Sequence, residues 1–126
     1  NQCYSTLQPS HYLWNVYENS IEQEIRLDIN RNFETYQVKN TGSMRPAIGD
    51  YSNIIALTNL TKNDLNVGDI VSFSCDNREI FHRIIKINSD GTYLMKGDNN
   101  PHDDFVNFGC SPSFENISSK AIGVIY

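Results

Sequence analysis

Hydrophobic and polar positions divide the chain into an irregular lead-in, one stretch with helical spacing, and a long run of strand-like pieces. From Ser10 onward, Leu13, Tyr17, Ile21 and Ile25 recur four residues apart. That spacing predicts a helix over 10–26 with Ser10 at its start. Tyr12, Trp14 and Tyr17 make it aromatic, and its acidic residues favour core packing over a basic membrane-surface face. Ile25, Leu27 and Ile29 then alternate, as in a strand, before the Asn30-Arg31-Asn32 turn. Short apolar runs follow at Thr35–Lys39, Asn53–Leu57, Ile70–Phe73, Glu79–Ile87, Thr92–Lys96 and Ala121–Tyr126, separated by polar loops such as Asn88-Ser89-Asp90-Gly91. The expected fold is mostly β, with antiparallel sheets in a barrel or sandwich and an N-terminal helix. Residues 1–34 are expected to form the helical segment, packed on or preceding a β domain over 35–126.

The register of one hairpin adds detail. If 88–91 form the loop, Ile87 faces Thr92 and His82 faces Gly97. Asp98 then falls diagonally beside His82, within side-chain reach. A shift of one residue would move it to the other face.

Composition narrows the function. At 126 residues the chain is of single-domain size. A net charge of −5 leaves no basic footprint to neutralise phosphates, so no nucleic-acid partner is expected. No run of about twenty apolar residues is present to span a bilayer. The chain opens at Asn1 rather than Met, which is expected of a processed or partial form; an anchor upstream would be unseen. Three cysteines allow one disulfide at most, and Cys75 with Cys110 is a candidate pair. His102 in Pro-His-Asp-Asp reads as a solvated loop, and no metal is expected there.

The chemistry centres on Thr41-Gly42-Ser43-Met44-Arg45-Pro46, followed by Gly49-Asp50. Gly42 permits a backbone that other residues resist, and Pro46 stiffens the exit, so the turn presents one hydroxyl. A serine hydroxyl becomes a nucleophile when a base takes its proton and donors stabilise the oxyanion. Histidine is the side chain whose ordinary titration lies nearest neutral pH, and a carboxylate beside it fixes its tautomer. Ser43, His82 and Asp98 therefore form a candidate constellation.

These residues, with Val67-Gly68-Asp69-Ile70-Val71, His82-Arg83-Ile84 and Lys96-Gly97-Asp98-Asn99-Asn100 followed by Asp103-Asp104, resemble the type I signal peptidase family. The type resembled is the endoplasmic-reticulum and archaeal one, with histidine in place of the usual bacterial lysine. The resemblance implies a serine endopeptidase that cleaves exported proteins after small residues, with no metal and no cofactor. It implies Ser43 as nucleophile, His82 as general base and Asp104 as third member, with Asp98 also important. Thr41, through its hydroxyl, and Ser43, through its backbone N–H, would form the oxyanion hole. Met44 and Pro46 would contact substrate. Register and resemblance favour different acids, and both Asp98 and Asp104 stand as candidates.

The family usually carries a membrane span shortly before the serine box. Residues 21–40 here carry Glu22, Glu24, Arg26, Asp28, Arg31 and Glu34 and cannot supply one. Membrane association, at an extracytoplasmic face or in the endoplasmic-reticulum lumen, would then need an anchor outside this chain. Two other readings remain. Self-cleaving repressor relatives share the serine turn but use a lysine base. A non-catalytic peptide-binding or structural module would keep the scaffold without needing the hydroxyl.

Overall fold

Alternating apolar residues on nearly every strand build one curled antiparallel sheet with cores on both of its faces. The computed structural model describes residues 3–4, 14–19, 24–39 and 42–126. Its strands are β1 (Cys3–Tyr4), β2 (Trp14–Asn19), β3 (Glu24–Ile29), β4 (Phe33–Gln37), β5 (Asn53–Leu57), β6 (Ile70–Cys75), β7 (Arg78–Ile87), β8 (Tyr93–Lys96) and β9 (Ile117–Ile125). One short helix, α1 (Asp104–Phe108), follows β8. Seven strands form the main sheet in the order β4-β5-β9-β6-β7-β8, with β1 also paired to β9; β2 and β3 form a separate hairpin.

Period-two alternation explains how thin strands serve two cores. On β5, Ile54 and Ala56 join Met44, Ile48, Ile70, Ala121 and Val124 in one cluster. Ile55 and Leu57, pointing the other way, join Ile122 in another. A third cluster gathers Val71, Phe73, Cys75, Ile84 and Met95 beneath β6–β8. The register of β9 against β5 shifts between Ile55 and Ala56, which pair with Gly123 and Ala121. The extra residue, Ile122, lets Ala121 and Val124 share a core despite their odd spacing. Cys75 and Cys110 are joined as a disulfide.

The mostly-β expectation holds, and the Asn53–Leu57 strand has the bounds read from sequence. The helix expected over 10–26 does not: residues 14–19 and 24–26 are strand, and the others lie outside the described residues. Val16 pairs with Leu27 and Trp14 with Ile29 in that hairpin. The four-residue spacing coexisted with an alternation of β-branched and aromatic residues, and pairing across a short connection favours the latter. The polar stretch before the last strand holds α1, and β9 begins at Ile117 rather than Ala121.

Polar groups tie the loops to this sheet. Arg31 holds the buried Asp64 carboxylate with two hydrogen bonds of 2.7 and 3.0 Å. The Thr61 backbone N–H adds a third at 2.7 Å. The buried Lys120 ammonium donates to the Asp64 carbonyl at 2.8 Å and lies 3.3 Å from the Asp69 carboxylate. Hydrogen bonding from Arg31, above all, lowers the Asp64 carboxyl from 3.8 to about 2. A depressed folded-state pKa contributes stability above the unfolded value, lost as pH falls through the folded one. The ionised Asp64 carboxylate, held by Arg31 and Thr61, is therefore expected to contribute about 2 kcal/mol at neutral pH, disappearing between 3.8 and about 2. Urea titrations of the parent chain and Arg31→Met across that window should show the two stabilities converging as acid is added.

Candidate active site

Gly42 enters the serine turn with φ of 71°, a left-handed conformation in which a side chain would be strained. The turn then closes on itself, with the Ile48 N–H donating to the Met44 carbonyl at 2.9 Å. Met44 and Ile48 are both buried in the core that β5 and β9 share. Two apolar anchors thus fix the turn from below and leave Ser43 above them. Arg45 and Asp50 form an ion pair across its outer side.

A second turn, 97–100, grips the first. The Asn99 N–H donates to the Ser43 carbonyl at 2.8 Å, and the Asn99 side-chain amide donates to the Gly42 carbonyl at 3.1 Å. A Cβ on Gly97 would stand 2.8 Å from the Ser43 carbonyl oxygen, so only glycine permits this approach. Asp98 orients the second turn by taking two hydrogen bonds from Arg83, at 2.9 and 2.8 Å. Arg83 also donates to the Gly68 carbonyl at 2.6 Å, and the Asp98 hydrogen bond raises its guanidinium pKa further.

His82 is buried on β7, paired with Val71 of β6. Its Nδ1 lies 2.7 Å from Asp104 Oδ2, and its Nε2 lies 3.1 Å from Ser43 Oγ. With the proton on Nδ1, that N–H donates to the carboxylate and Nε2 accepts from the hydroxyl. Asp104 opens α1, with Asp103 as its N-cap accepting the Val106 N–H at 2.8 Å. The carboxylate beside His82 is therefore that of Asp104. The placement of Asp98 beside His82, expected from the hairpin, is corrected: Asp98 turns to Arg83.

The register behind that expectation was nearly right. Ile87 pairs with Tyr93, one residue later than expected, but a bulge between Ile84 and Lys86 restores the pairing of Arg83 with Lys96. Asp98 misses His82 because β8 ends at Lys96 and the chain has already turned.

A cavity of about 630 Å³ opens beside Ser43 and His82. Its walls come from β4 and the segment after it (Tyr36 to Lys39) and from the first half of β7 (Arg78 to Phe81), over a floor of Met44, Ile48 and Ile54. Tyr36 and Phe81 meet edge to face with centroids 5.4 Å apart. Met44 lines this cavity and Pro46 is not among its lining residues; Thr41 lies outside the described residues. Sequence reasoning gave no role to Tyr36 or Phe81, nor to Asn99 within its motif. Among the described residues, ligand-type side chains converge as a metal set would only at Cys75, Asp76 and Cys110, whose sulfurs are bonded to each other.

No family model matches the chain. The signal peptidase complex catalytic subunit SEC11C of Homo sapiens is 40% identical to it over 70 residues, as are those of Canis lupus familiaris and Mus musculus. Over that stretch the chain is similar to these signal peptidase subunits. The match covers 51% of this chain and 36% of each relative's length. Among its described residues, the chain has no helix long and apolar enough to cross a membrane.

The grip of one turn on the other yields a direct test. Gly97→Ala should destabilise the chain by about 1–3 kcal/mol, because the new methyl meets backbone that cannot give way without moving Ser43. Urea unfolding measures it, and Gly49→Ala, whose added methyl meets only the Ser52 hydroxyl at an ordinary 3.7 Å, is the control for the methyl.

Proposed function

We propose that this chain is a serine endopeptidase of signal-peptidase type, with Ser43 as nucleophile, His82 as general base and Asp104 as the group that orients it. The observation that carries this reading is the continuous contact from Asp104 through both imidazole nitrogens to Ser43, at 2.7 and 3.1 Å, at the edge of a groove. The distances suit proton transfer. The SEC11C relatives support the same chemistry class by their names.

In this mechanism the Ser43 hydroxyl attacks the scissile carbonyl while His82 Nε2 takes its proton. Asp104 stabilises the imidazolium that forms. The Ser43 backbone N–H and the Thr41 hydroxyl would receive the oxyanion. His82 then hands its proton to the leaving amine, and the acyl group stays on Ser43. A water that loses its proton to His82 attacks the ester, and the acid product leaves. These residues perform acyl transfer without a metal or cofactor.

The groove explains the form of the substrate. β7 pairs with β6 along Ile70 to Cys75, but with β8 only from Arg83 onward. β4 is the end strand of the sheet. Both groove walls thus present strand edges, to which an extended peptide can add as a further strand. The substrates proposed are exported proteins, cut after small residues. Their emergence from a translocation site would place the enzyme at the membrane, on the extracytoplasmic face or in the endoplasmic-reticulum lumen. Within the chain, 35–126 would be the catalytic unit. Against the repressor-type alternative, His82 faces Ser43, whereas the buried Lys120 ammonium is engaged with Asp64 and Asp69.

The test is cleavage of a peptide carrying an Ala-X-Ala exit site, in detergent or lipid. Cleavage after the last alanine should fall about 10⁴-fold or more in Ser43→Ala, His82→Ala and Asp104→Asn. A chain that binds the peptide, leaves it intact and takes no serine-directed acylating probe at Ser43 is the non-catalytic module instead.

A further inference from the structure

Asp104 is held in place by very little of its own. The helix it opens has five residues, and Asp104 is the buried one among them. Phe105, Val106 and Phe108 are exposed, so no apolar face docks α1 onto the sheet. A helix of this length has no stability in isolation. One carboxylate oxygen of Asp104 meets His82; the other, Oδ1, is buried with no donor among the described residues. Its position therefore follows the backbone of α1.

What fixes that backbone is the residue just after the helix. Gly109 ends α1 in a left-handed conformation, and the Cys110 N–H donates to the Asp104 carbonyl at 3.2 Å. Cys110 is bonded in turn to Cys75, whose Cα is 6.2 Å from its own. Cys75 is buried at the end of β6, an interior strand paired with β7 and β9. The exposed Phe108 ring lies under Arg78, at 5.2 Å, and beyond Cys110 the Ser111 hydroxyl donates to the Tyr93 carbonyl at 3.2 Å while the Tyr93 N–H donates to the Pro112 carbonyl at 2.9 Å. The chain thus runs from the core through a covalent bond to a residue hydrogen-bonded to Asp104 itself.

We infer that the Cys75–Cys110 disulfide is a positioning device that keeps α1, and with it the Asp104 carboxylate, against His82, so that the thiol–disulfide state of this pair sets the activity of the site. The kinetic part rests on the Ser43–His82–Asp104 reading; the structural part does not. A dithiol reductant supplies the two electrons that break the S–S bond, each sulfur takes a proton, and the reductant leaves as its own disulfide. The freed α1 then lets Asp104 drift from the imidazole.

The experiment uses the chain with Cys3→Ser, to prevent exchange with a third thiol. Two readouts are followed in the oxidised and reduced forms: the downfield proton resonance of the His82 Nδ1–H in histidine-labelled protein, and kcat with KM for the Ala-X-Ala peptide. Reduction should remove the resonance by exposing the proton to exchange. It should lower kcat about 100-fold, the loss a misplacement of about 1 Å can cause, with KM little changed. Cys75→Ala with Cys110→Ala should behave as the reduced form. Bridging the reduced thiols with diiodomethane, which forms S–CH2–S and releases two iodides and two protons, should restore both readouts. A reduced, folded chain with resonance and kcat unchanged overturns the inference. So does reduction that collapses the amide dispersion of the whole sheet, since the bond would then serve global stability. If neither form cuts peptide while the resonance still follows the disulfide, the positioning role stands and the peptidase reading falls.

Discussion

The site depends on a carboxylate kept out of water. Asp104 is 0% exposed and shares one hydrogen bond with an imidazole that is itself buried. Stripping water from a carboxylate is unfavourable, and breaking a buried pair by removing one partner typically costs about 3–5 kcal/mol. The arrangement is most favourable when the imidazole is charged, because only then does the carboxylate face a full positive charge. In the proposed mechanism that happens in the transition state for acylation. An environment that is uncomfortable in the resting protein thus becomes complementary to the charge that develops.

Two independently held pieces meet at His82. The serine turn is seated by Met44 and Ile48 in the core and clasped by the 97–100 turn, which Arg83 aligns through Asp98. The helix bearing Asp104 is tethered from the other side, through Cys110. His82 sits between them on β7, where pairing with β6 fixes its backbone. Arg83, the next residue along that strand, points to the opposite face and serves the serine turn. One dipeptide therefore divides two tasks by strand alternation: His82 faces Ser43 and Asp104, and Arg83, through Asp98, aligns the turn that clasps the serine turn.

Much of this could be read from residue order. Strand positions followed from apolar runs, and the hairpin after β7 kept its register near His82 because the bulge at Ile84–Lys86 cancels a one-residue difference at the loop. The bulge itself has no sequence mark, since Ile85 is as apolar as its neighbours. Asp104 could be reached only through the family resemblance. A single helical turn of Asp-Phe-Val-Asn-Phe lacks the length for a periodic signal, and its apolar residues face outward. The segment around 14–19 misled because aromatic and β-branched residues at spacing four also satisfy spacing two. Pairing with residues 24–29 decides between them, and pairing is not a local property.

The groove follows from unequal strand lengths. β7 has ten residues and β8 has four, so the first half of β7 runs past the end of its neighbour. The sheet curls until Tyr36 and Phe81 touch, which brings the end strand β4 near that uncovered edge. Open strand edges invite aggregation, and proteins commonly shield them with charge or by recessing them. Here Lys39, Arg78 and Glu79 stand along the walls while the edges lie inside a cavity. A folded protein surface is too bulky to reach them, whereas a single extended chain can enter. Under the proposed function, selection for unfolded, extended substrate therefore arises from backbone geometry before any side-chain pocket acts. In the proposed mechanism, side chains then need to decide only where along that strand Ser43 attacks.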